Sequence, residues 1–292
     1  MKIKRAIKRL WHSSPADLLA GLKGEKSGAL TSLGEEPGRF VWCLSTGRVG
    51  TKTLAALAGL QGQVNAQHEP EPLLYGLGRL AYGQQEHEES GKILREALAT
   101  CRATIHAPPG RAYLETSPQV TFLAHQFREM FPGSRFIHII RHPGAVIRSG
   151  MRRGWYAGHN HDRWRITPRA GTGVSESWER WSILEKNAWL WAETNRWISS
   201  FLNTLSPQER IVIRSEDLFR GDEEAVRDFY GQLDVAIPPR QKLEKVLDKM
   251  LNRQESGDFP EWQDWNDEQL AVVGPHIKEL MACYSYSFHG FE

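Results

Sequence analysis

Arg39-Phe-Val-Trp-Cys-Leu-Ser-Thr-Gly-Arg-Val-Gly-Thr-Lys-Thr53 is the stretch on which the fold of this chain turns. Its first six residues are a short apolar run bounded by Gly38 and a glycine-containing turn, the pattern of a buried strand. The spacing predicts a helix from Thr51 to Leu60 directly after the turn. Gly47 and Gly50 let backbone N–H groups converge, because glycine tolerates positive φ and close approach. The helix start adds unsatisfied donors and a partial positive charge. Arg48 and Lys52 bring full charges, Thr51 and Thr53 bring hydroxyls, and Val49 and Gly50 bring backbone amides. Such a turn suits a phosphate-like anion. An ordinary strand–helix turn carrying surface cations has the same composition.

Further along, strands are expected at Val64–Gln67, Arg111–Glu115, Arg135–Ile140 and Arg210–Ile213. Helices are expected at 85–101, 118–130, after Pro143, and at 176–204, 222–231, 240–251 and 267–283. Strands alternating with helices imply an α/β fold, a parallel sheet flanked by helices on both faces. Loops at 156–175 and Phe259–Trp265 are candidate flaps over a site.

The 292 residues are 40% hydrophobic and 25% charged, which excludes a mainly disordered chain and a long coiled coil. Three scattered cysteines form no disulfide framework and no CxxC pair, so a reducing, cytoplasmic compartment is expected. No apolar run reaches the ~18 residues of a membrane span. Five of the 37 basic residues lie in the first ten, with no acid among them, so the net charge of +2 originates in that head. A general polyanion surface, and with it nucleic acid binding, is not implied. Ile3, Ile7 and Leu10 would give the head an apolar stripe if helical, suited to peripheral contact with an anionic membrane or a partner; a frayed terminus fits as well. Residues 1–35 therefore read as a basic extension and 36–292 as the α/β domain.

A second anion signal is Arg141-His-Pro-Gly-Ala-Val-Ile-Arg-Ser149, an Arg at a strand's carboxyl end with a Ser eight residues on. An Arg fork binds phosphate bidentately, and the Ser adds a donor from about two turns away. Residues 141–169 hold seven Arg and one acid, Asp162. The phosphate loop of a nucleotide kinase would read GxxxxGK[ST] and pair with a metal-binding Asp at a strand end. Here Thr51 separates Gly50 from Lys52, and the strand at 135–140 runs into Arg141. A cation there repels Mg²⁺ and attracts a further anion, so a site without metal is expected.

Both loops together resemble the sulfotransferase family that uses 3′-phosphoadenosine-5′-phosphosulfate (PAPS). The first corresponds to that family's 5′-phosphosulfate loop, here Arg48-Val-Gly-Thr-Lys52, with Arg48 where the family commonly has Lys. The second, with Arg141 and Ser149, corresponds to its 3′-phosphate site. The likeness continues in Leu114-Glu-Thr-Ser-Pro118, Phe131-Pro-Gly-Ser-Arg-Phe-Ile137 and Val212-Ile-Arg-Ser-Glu-Asp-Leu218, and spans roughly residues 38–235. It implies a P-loop-type fold, PAPS as co-substrate, no metal, and transfer of a sulfuryl group to a hydroxyl or amine. Arg48, Lys52 and the loop amides would stabilise charge on the leaving group.

Related enzymes carry a Glu or His base just past the second strand. Gln67-His68-Glu69-Pro70-Glu71 occupies that place, with Glu69 the first candidate and His68 the next. A Pro-restricted surface turn is the plain alternative. His106, Glu115 and Ser117 are weaker candidates. Trp181, Leu184, Ala188, Trp191, Ile198 and Leu202 form a helical stripe that faces the core, with Trp189 and Trp197 off it. Trp155, Tyr156, Trp164, Trp262 and Trp265 fall in loops and suit stacking on adenine or a sugar, so a small-molecule or glycan acceptor is expected, with Trp155, Tyr156 and Trp164 against it. The loop cations would also attract an acidic acceptor. A kinase-like phosphotransferase and a non-catalytic docking protein on the same scaffold are the competing readings.

Overall fold

The computed structural model describes residues 38–83, 88–249 and 257–288; the basic extension of residues 1–35 lies outside them. Five parallel strands, β1 (Arg39–Leu44), β2 (Val64–Gln67), β3 (Ala112–Glu115), β4 (Arg135–Ile140) and β5 (Arg210–Arg214), form one sheet in the order β2-β3-β1-β4-β5. Phe40 lies beside Tyr113 on one side, and Trp42 lies beside Phe136 on the other. After β1 the chain leaves toward β2, and after β4 it leaves the other way toward β5. The carboxyl ends of β1 and β4 therefore bound the crevice where open α/β sheets bind ligands.

Both sheet faces are covered, which is why β1, β3 and β4 read as apolar runs rather than alternations. On one face Val41, Cys43, Leu114, Ile137 and Ile139 pack with Leu54 and Leu57 of α1 (Thr51–Ala58). On the other, Phe40, Trp42, Leu44, Tyr113 and Phe136 pack with α2 (Tyr75–Gly83), α3 (Glu88–Cys101) and α4 (Ala124–Met130). Trp42 stacks on Phe127 at 4.0 Å, and its indole N–H donates to Ser134 Oγ at 2.9 Å, so the buried polar edge is satisfied.

The remaining helices are α5 (Pro143–Arg152), α6 (Gly173–Ser177), α7 (Ile183–Leu202), α8 (Ser215–Arg220), α9 (Glu223–Leu233), α10 (Arg240–Leu247) and α11 (Asp267–Cys283). Several differ from the sequence expectation. The long helix expected at 176–204 starts only at Ile183, because Ser182 accepts from the Glu185 N–H at 3.1 Å and caps it there. Trp189 and Trp197, off the expected stripe, are buried all the same: α7 packs into both cores, with Trp191 in one and Trp189 and Trp197 in the other. The helix expected at 118–130 opens as a 3₁₀ turn, Pro118–Leu123, capped by Ser117. Helices α2 and α8 were not expected. α2 follows the Pro70 and Pro72 breaks and carries Gly76, Gly78 and Gly83, which hide a helical signal.

Candidate functional site

The turn after β1 is tied down before it curls. Ser45 donates its N–H to Thr121 Oγ1 at 3.0 Å, and Thr121 Oγ1 donates back to the Ser45 carbonyl at 2.9 Å. Gly47, Arg48 and Gly50 then take left-handed backbone angles, with φ of 78°, 59° and 91°. Such a run of turns points N–H groups inward as an anion nest. Gly50 is the N-cap of α1 and supplies no side-chain cap, and the first turn holds no acid. The amides at this helix start thus keep their donor capacity and partial positive charge for an anion.

The second loop meets the first. Arg141 Nη1 donates to the Arg48 carbonyl at 2.9 Å, and Arg48 Nε donates to Ser149 Oγ, on α5, at 2.9 Å. Residues 93 and 101 positions apart in sequence are thereby joined at the carboxyl edge of the β1–β4 crevice. Burial, followed by the nearby Arg153 and Arg141 charges, pushes the Arg48 pKa down to about 10, while Glu69 opposes the fall. Arg48 stays charged at neutral pH, in a cluster of like charges that an anion would relieve.

The β4–α5 turn is held from behind. Its His142 N-cap accepts the Gly144 N–H on Nδ1 at 3.2 Å, so Nε2 carries the hydrogen and donates to the Ser287 carbonyl at 2.9 Å. Glu216 Oε1 accepts the His142 N–H at 2.8 Å, and Glu216 Oε2 accepts from the Tyr286 hydroxyl at 2.8 Å. Burial lowers the Arg141 pKa, opposed chiefly by Glu216. None of Glu216, Tyr286 and Ser287 stood out in the sequence as a support for Arg141.

Beside the first loop lies a cavity of about 400 Å³. Ser45, Thr46, Gly47, Arg48 and Thr51 form part of its wall, and His68 and Glu69 enter from the end of β2. His68 Nδ1 donates to the Thr116 carbonyl at 3.0 Å, which leaves Nε2 as the acceptor nitrogen. Glu69 sits at φ 47°, and its charge reaches Arg48, Tyr75 and His161. Trp155 and Trp164, candidates from the sequence, line the same cavity.

Other expected residues lie elsewhere. Tyr156 does not line the cavity. Its hydroxyl donates to the Ile166 carbonyl at 2.7 Å and its ring meets Trp178 edge-on, so it pins the loop. Lys52 is exposed and the Val49 and Thr53 side chains are buried, so none of the three side chains lines the cavity. His106 lies at the opposite, amino end of the strands with Asn65 and Ala112. Glu115 is fully buried and grips Arg102 bidentately at 2.7 and 2.8 Å, the orienting role of a strand-end acid rather than a site role. Trp262 stacks on His142 at 4.0 Å, and Trp265 is buried against Phe259 and Phe288.

Four members of the arginine run fall into two groups. Arg148 and Arg152 bind the segment at 257–261 through the Pro260 carbonyl at 3.1 Å, the Gly257 carbonyl at 2.8 Å and the Glu261 carboxylate at 2.8 Å. Arg153 and Arg165 line the cavity, together with Arg79, Tyr75, His159 and His161. Arg79 and Tyr75 were missed with α2 itself. Among the described residues no group of three or more His, Cys, Asp or Glu side chains is placed to hold a metal ion, and no helix is long and apolar enough to cross a membrane.

A family model described as the sulfotransferase family matches residues 47–239, from the first anion loop through β5 and α9. The chain belongs to the sulfotransferase family. No curated protein matches the sequence. Among solved structures, this sulfotransferase is similar to the sulfotransferase domain from the Synechococcus PCC 7002 olefin synthase, with 15% identity and a TM-score of 0.51, covering 90% of this chain and 100% of that domain. It is also similar to sulfotransferase STF9 from Mycobacterium avium, with 11% identity and a TM-score of 0.51, covering 87% and 79% of the two chains. At these identities the likeness is one of fold. Sulfuryl transfer is the activity the family carries.

Proposed function

We propose that this sulfotransferase takes its sulfuryl group from PAPS and delivers it to a hydroxyl or amine of a small polar acceptor held in the 400 Å³ cavity. The observation that carries the reading is the junction of the two anion loops, Arg141 to the Arg48 carbonyl and Arg48 to Ser149. A nucleotide with phosphate groups at two ends needs two cationic sites a fixed distance apart. Arg48 with the amides of Gly50, Thr51 and Lys52 would take the 5′-phosphosulfate, and Arg141 with Ser149 the 3′-phosphate. The left-handed turns at Gly47, Arg48 and Gly50 and the uncapped start of α1 fit the first group.

The acceptor oxygen attacks sulfur as its proton passes to a base, and the bond from sulfur to the phosphate oxygen breaks. The leaving phosphate gains negative charge, and Arg48 and the loop amides stabilise it. Glu69 and His68 both line the cavity, and with Nδ1 of His68 engaged by the Thr116 carbonyl its Nε2 is the acceptor nitrogen, so either residue would serve as the base. Trp155 and Trp164 would hold the acceptor body.

The reading is tested by titrating adenosine 3′,5′-bisphosphate, the product nucleotide, into the protein in a calorimeter, and by following sulfate transfer from PAPS. Arg141→Ala is expected to weaken nucleotide binding at least tenfold. Unchanged affinity in that variant, or a preference for ATP with Mg²⁺ over the bisphosphate, would overturn it.

A further inference from the structure

The two donor loops leave part of the cavity's positive charge unused. Arg79 projects from α2, on the sheet face opposite the one against which Val146 and Ile147 pack α5. It donates to the Arg163 carbonyl at 2.6 Å and reaches Thr167 Oγ1 at 3.4 Å; no ion pair with a carboxylate is found for it among the described residues. Arg153 has its Nε buried with no hydrogen-bond partner among the described residues. Arg165 lies over the Trp155 ring at 4.0 Å and is neutralised in part by Asp162 at 2.9 Å.

Among the described residues that line the cavity, Glu69 is the one acid beside Arg48, Arg79, Arg153 and Arg165. Burial lowers the pKa of His159 and of His161, so both stand neutral at pH 7 and serve as hydrogen-bonding groups, not as charges. Tyr75 and Arg79 are one helical turn apart on α2, and Tyr75 feels the charges of both Glu69 and Arg165. The surplus cations therefore surround the same space as the candidate base.

From this we infer that the acceptor is itself an anion: a hydroxyl- or amine-bearing molecule with a carboxylate or phosphate group, gripped by Arg79 and Arg165 while its nucleophile faces Glu69 and His68. The inference rests on the proposed sulfuryl transfer and names its substrate class. A neutral acceptor would leave the Arg79 guanidinium with the neutral Arg163 carbonyl and Thr167 hydroxyl as its hydrogen-bond partners among the described residues. An anion gives it the charge-assisted, forked hydrogen bonds that a guanidinium is shaped to make. Trp155, with Arg165 over its ring at 4.0 Å, and Trp164, with Arg163 over its ring at 5.2 Å, then add apolar wall beside the uncharged body of the same molecule.

Matched pairs of probes test this on the enzyme saturated with adenosine 3′,5′-bisphosphate: glucose 6-phosphate against glucose, and 4-hydroxybenzoate against its methyl ester. Binding is read by calorimetry, and transfer from PAPS is read in parallel. In at least one pair the charged member is expected to bind ten times more tightly or more. The pair that responds tells phosphate from carboxylate. In Arg79→Gln that ratio falls toward one while bisphosphate affinity stays within about twofold, which also reports that the variant is folded. If no charged probe binds, or if the neutral member binds as well in every pair, the inference is wrong. Failure of the bisphosphate itself to bind would instead sink the sulfuryl-transfer reading beneath it.

Discussion

Arg141 reaches across the crevice and donates to the backbone carbonyl of Arg48, 93 residues earlier and 2.9 Å away. The bond is made by the same guanidinium that would hold the 3′-phosphate, so the position of one anion site is coupled to the shape of the other. Lysine at this place keeps the charge and loses the fork. It can satisfy the Arg48 carbonyl or an anion, with fewer and less directed bonds to each. Arg141→Lys is expected to bind adenosine 3′,5′-bisphosphate roughly ten times more weakly than the wild type and more tightly than Arg141→Ala, by calorimetric titration.

Under the proposed reading Glu216 would act on the nucleotide only through Arg141, as a positioning residue. One oxygen accepts the His142 N–H and the other the Tyr286 hydroxyl, which ties the β4–α5 turn to α8 and to the segment after α11. Glu216→Ala leaves the His142 N–H without its acceptor, a loss of about 1–3 kcal/mol. The Michaelis constant for PAPS is expected to rise several-fold with kcat less affected. Glu216→Gln, which keeps one acceptor oxygen, is expected to recover part of the loss, and Tyr286→Phe to show a milder version of it. A drop in kcat alone would contradict the positioning role.

Gly50 is fixed by two independent constraints. Its φ of 91° lies in a region that side-chain-bearing residues rarely adopt, and a Cβ would fall 2.2 Å from the Phe219 ring. The left-handed backbone costs roughly 1–2 kcal/mol and the overpacking about 1–3 kcal/mol more. Gly50→Ala is expected to lower Tm by several degrees. Adding Phe219→Leu should restore only the packing share, because the backbone strain remains.

The sheet was legible because β1, β3 and β4 are buried on both faces and must be apolar throughout, while glycine and proline mark their ends. The junction of the two loops was legible in part because Arg48 and Gly50 follow the end of β1, and Arg141 the end of β4, within a few residues, with Ser149 about two helical turns further on. The cavity wall was not. Arg79 sits on a glycine-rich helix behind Pro70 and Pro72, where periodicity is weak. Tyr156 is next to Trp155 in sequence, and its φ of 63° sends it to the Ile166 carbonyl instead of the cavity. Glu216 supports Arg141 through contacts 70 or more residues apart, which no local pattern records.

Glu115 and Arg102 form a fully buried, bidentate ion pair, with the Tyr113 hydroxyl donating to the same carboxylate at 3.0 Å. Removing one partner strands a charge in the core. Glu115→Ala is expected to cost about 3–5 kcal/mol in urea unfolding, while replacing the pair by Leu and Met recovers much of that. Bisphosphate affinity of the folded fraction should stay near the wild-type value. A selective loss of binding without loss of stability would instead return Glu115 to the site.

His138 gives the fold a pH dependence of known sign. It lies on β4 with no exposed surface; Nε2 donates to Asn195 Oδ1 at 2.9 Å, and Nδ1 is buried without a hydrogen-bond partner among the described residues. Burial pushes its pKa down to about 4 from an ordinary 6.5, with the Asn195 bond opposing only in part. The folded protein thus keeps a neutral ring while the unfolded chain takes up a proton as pH falls below 6.5. Stability from this residue is full above that pH and is lost progressively as pH falls toward 4, below which both states are protonated. Its share of the loss between pH 7 and pH 4.5 is roughly 2–3 kcal/mol. Burial lowers the pKa of His125, His142 and His276 as well, so the whole protein weakens in acid, and the comparison must be with a variant. Urea unfolding of wild type and His138→Gln across this range is expected to show the variant less stable at pH 7 but losing less on acidification, by that amount. Parallel pH profiles would mean that the ring titrates alike in the folded and unfolded chains.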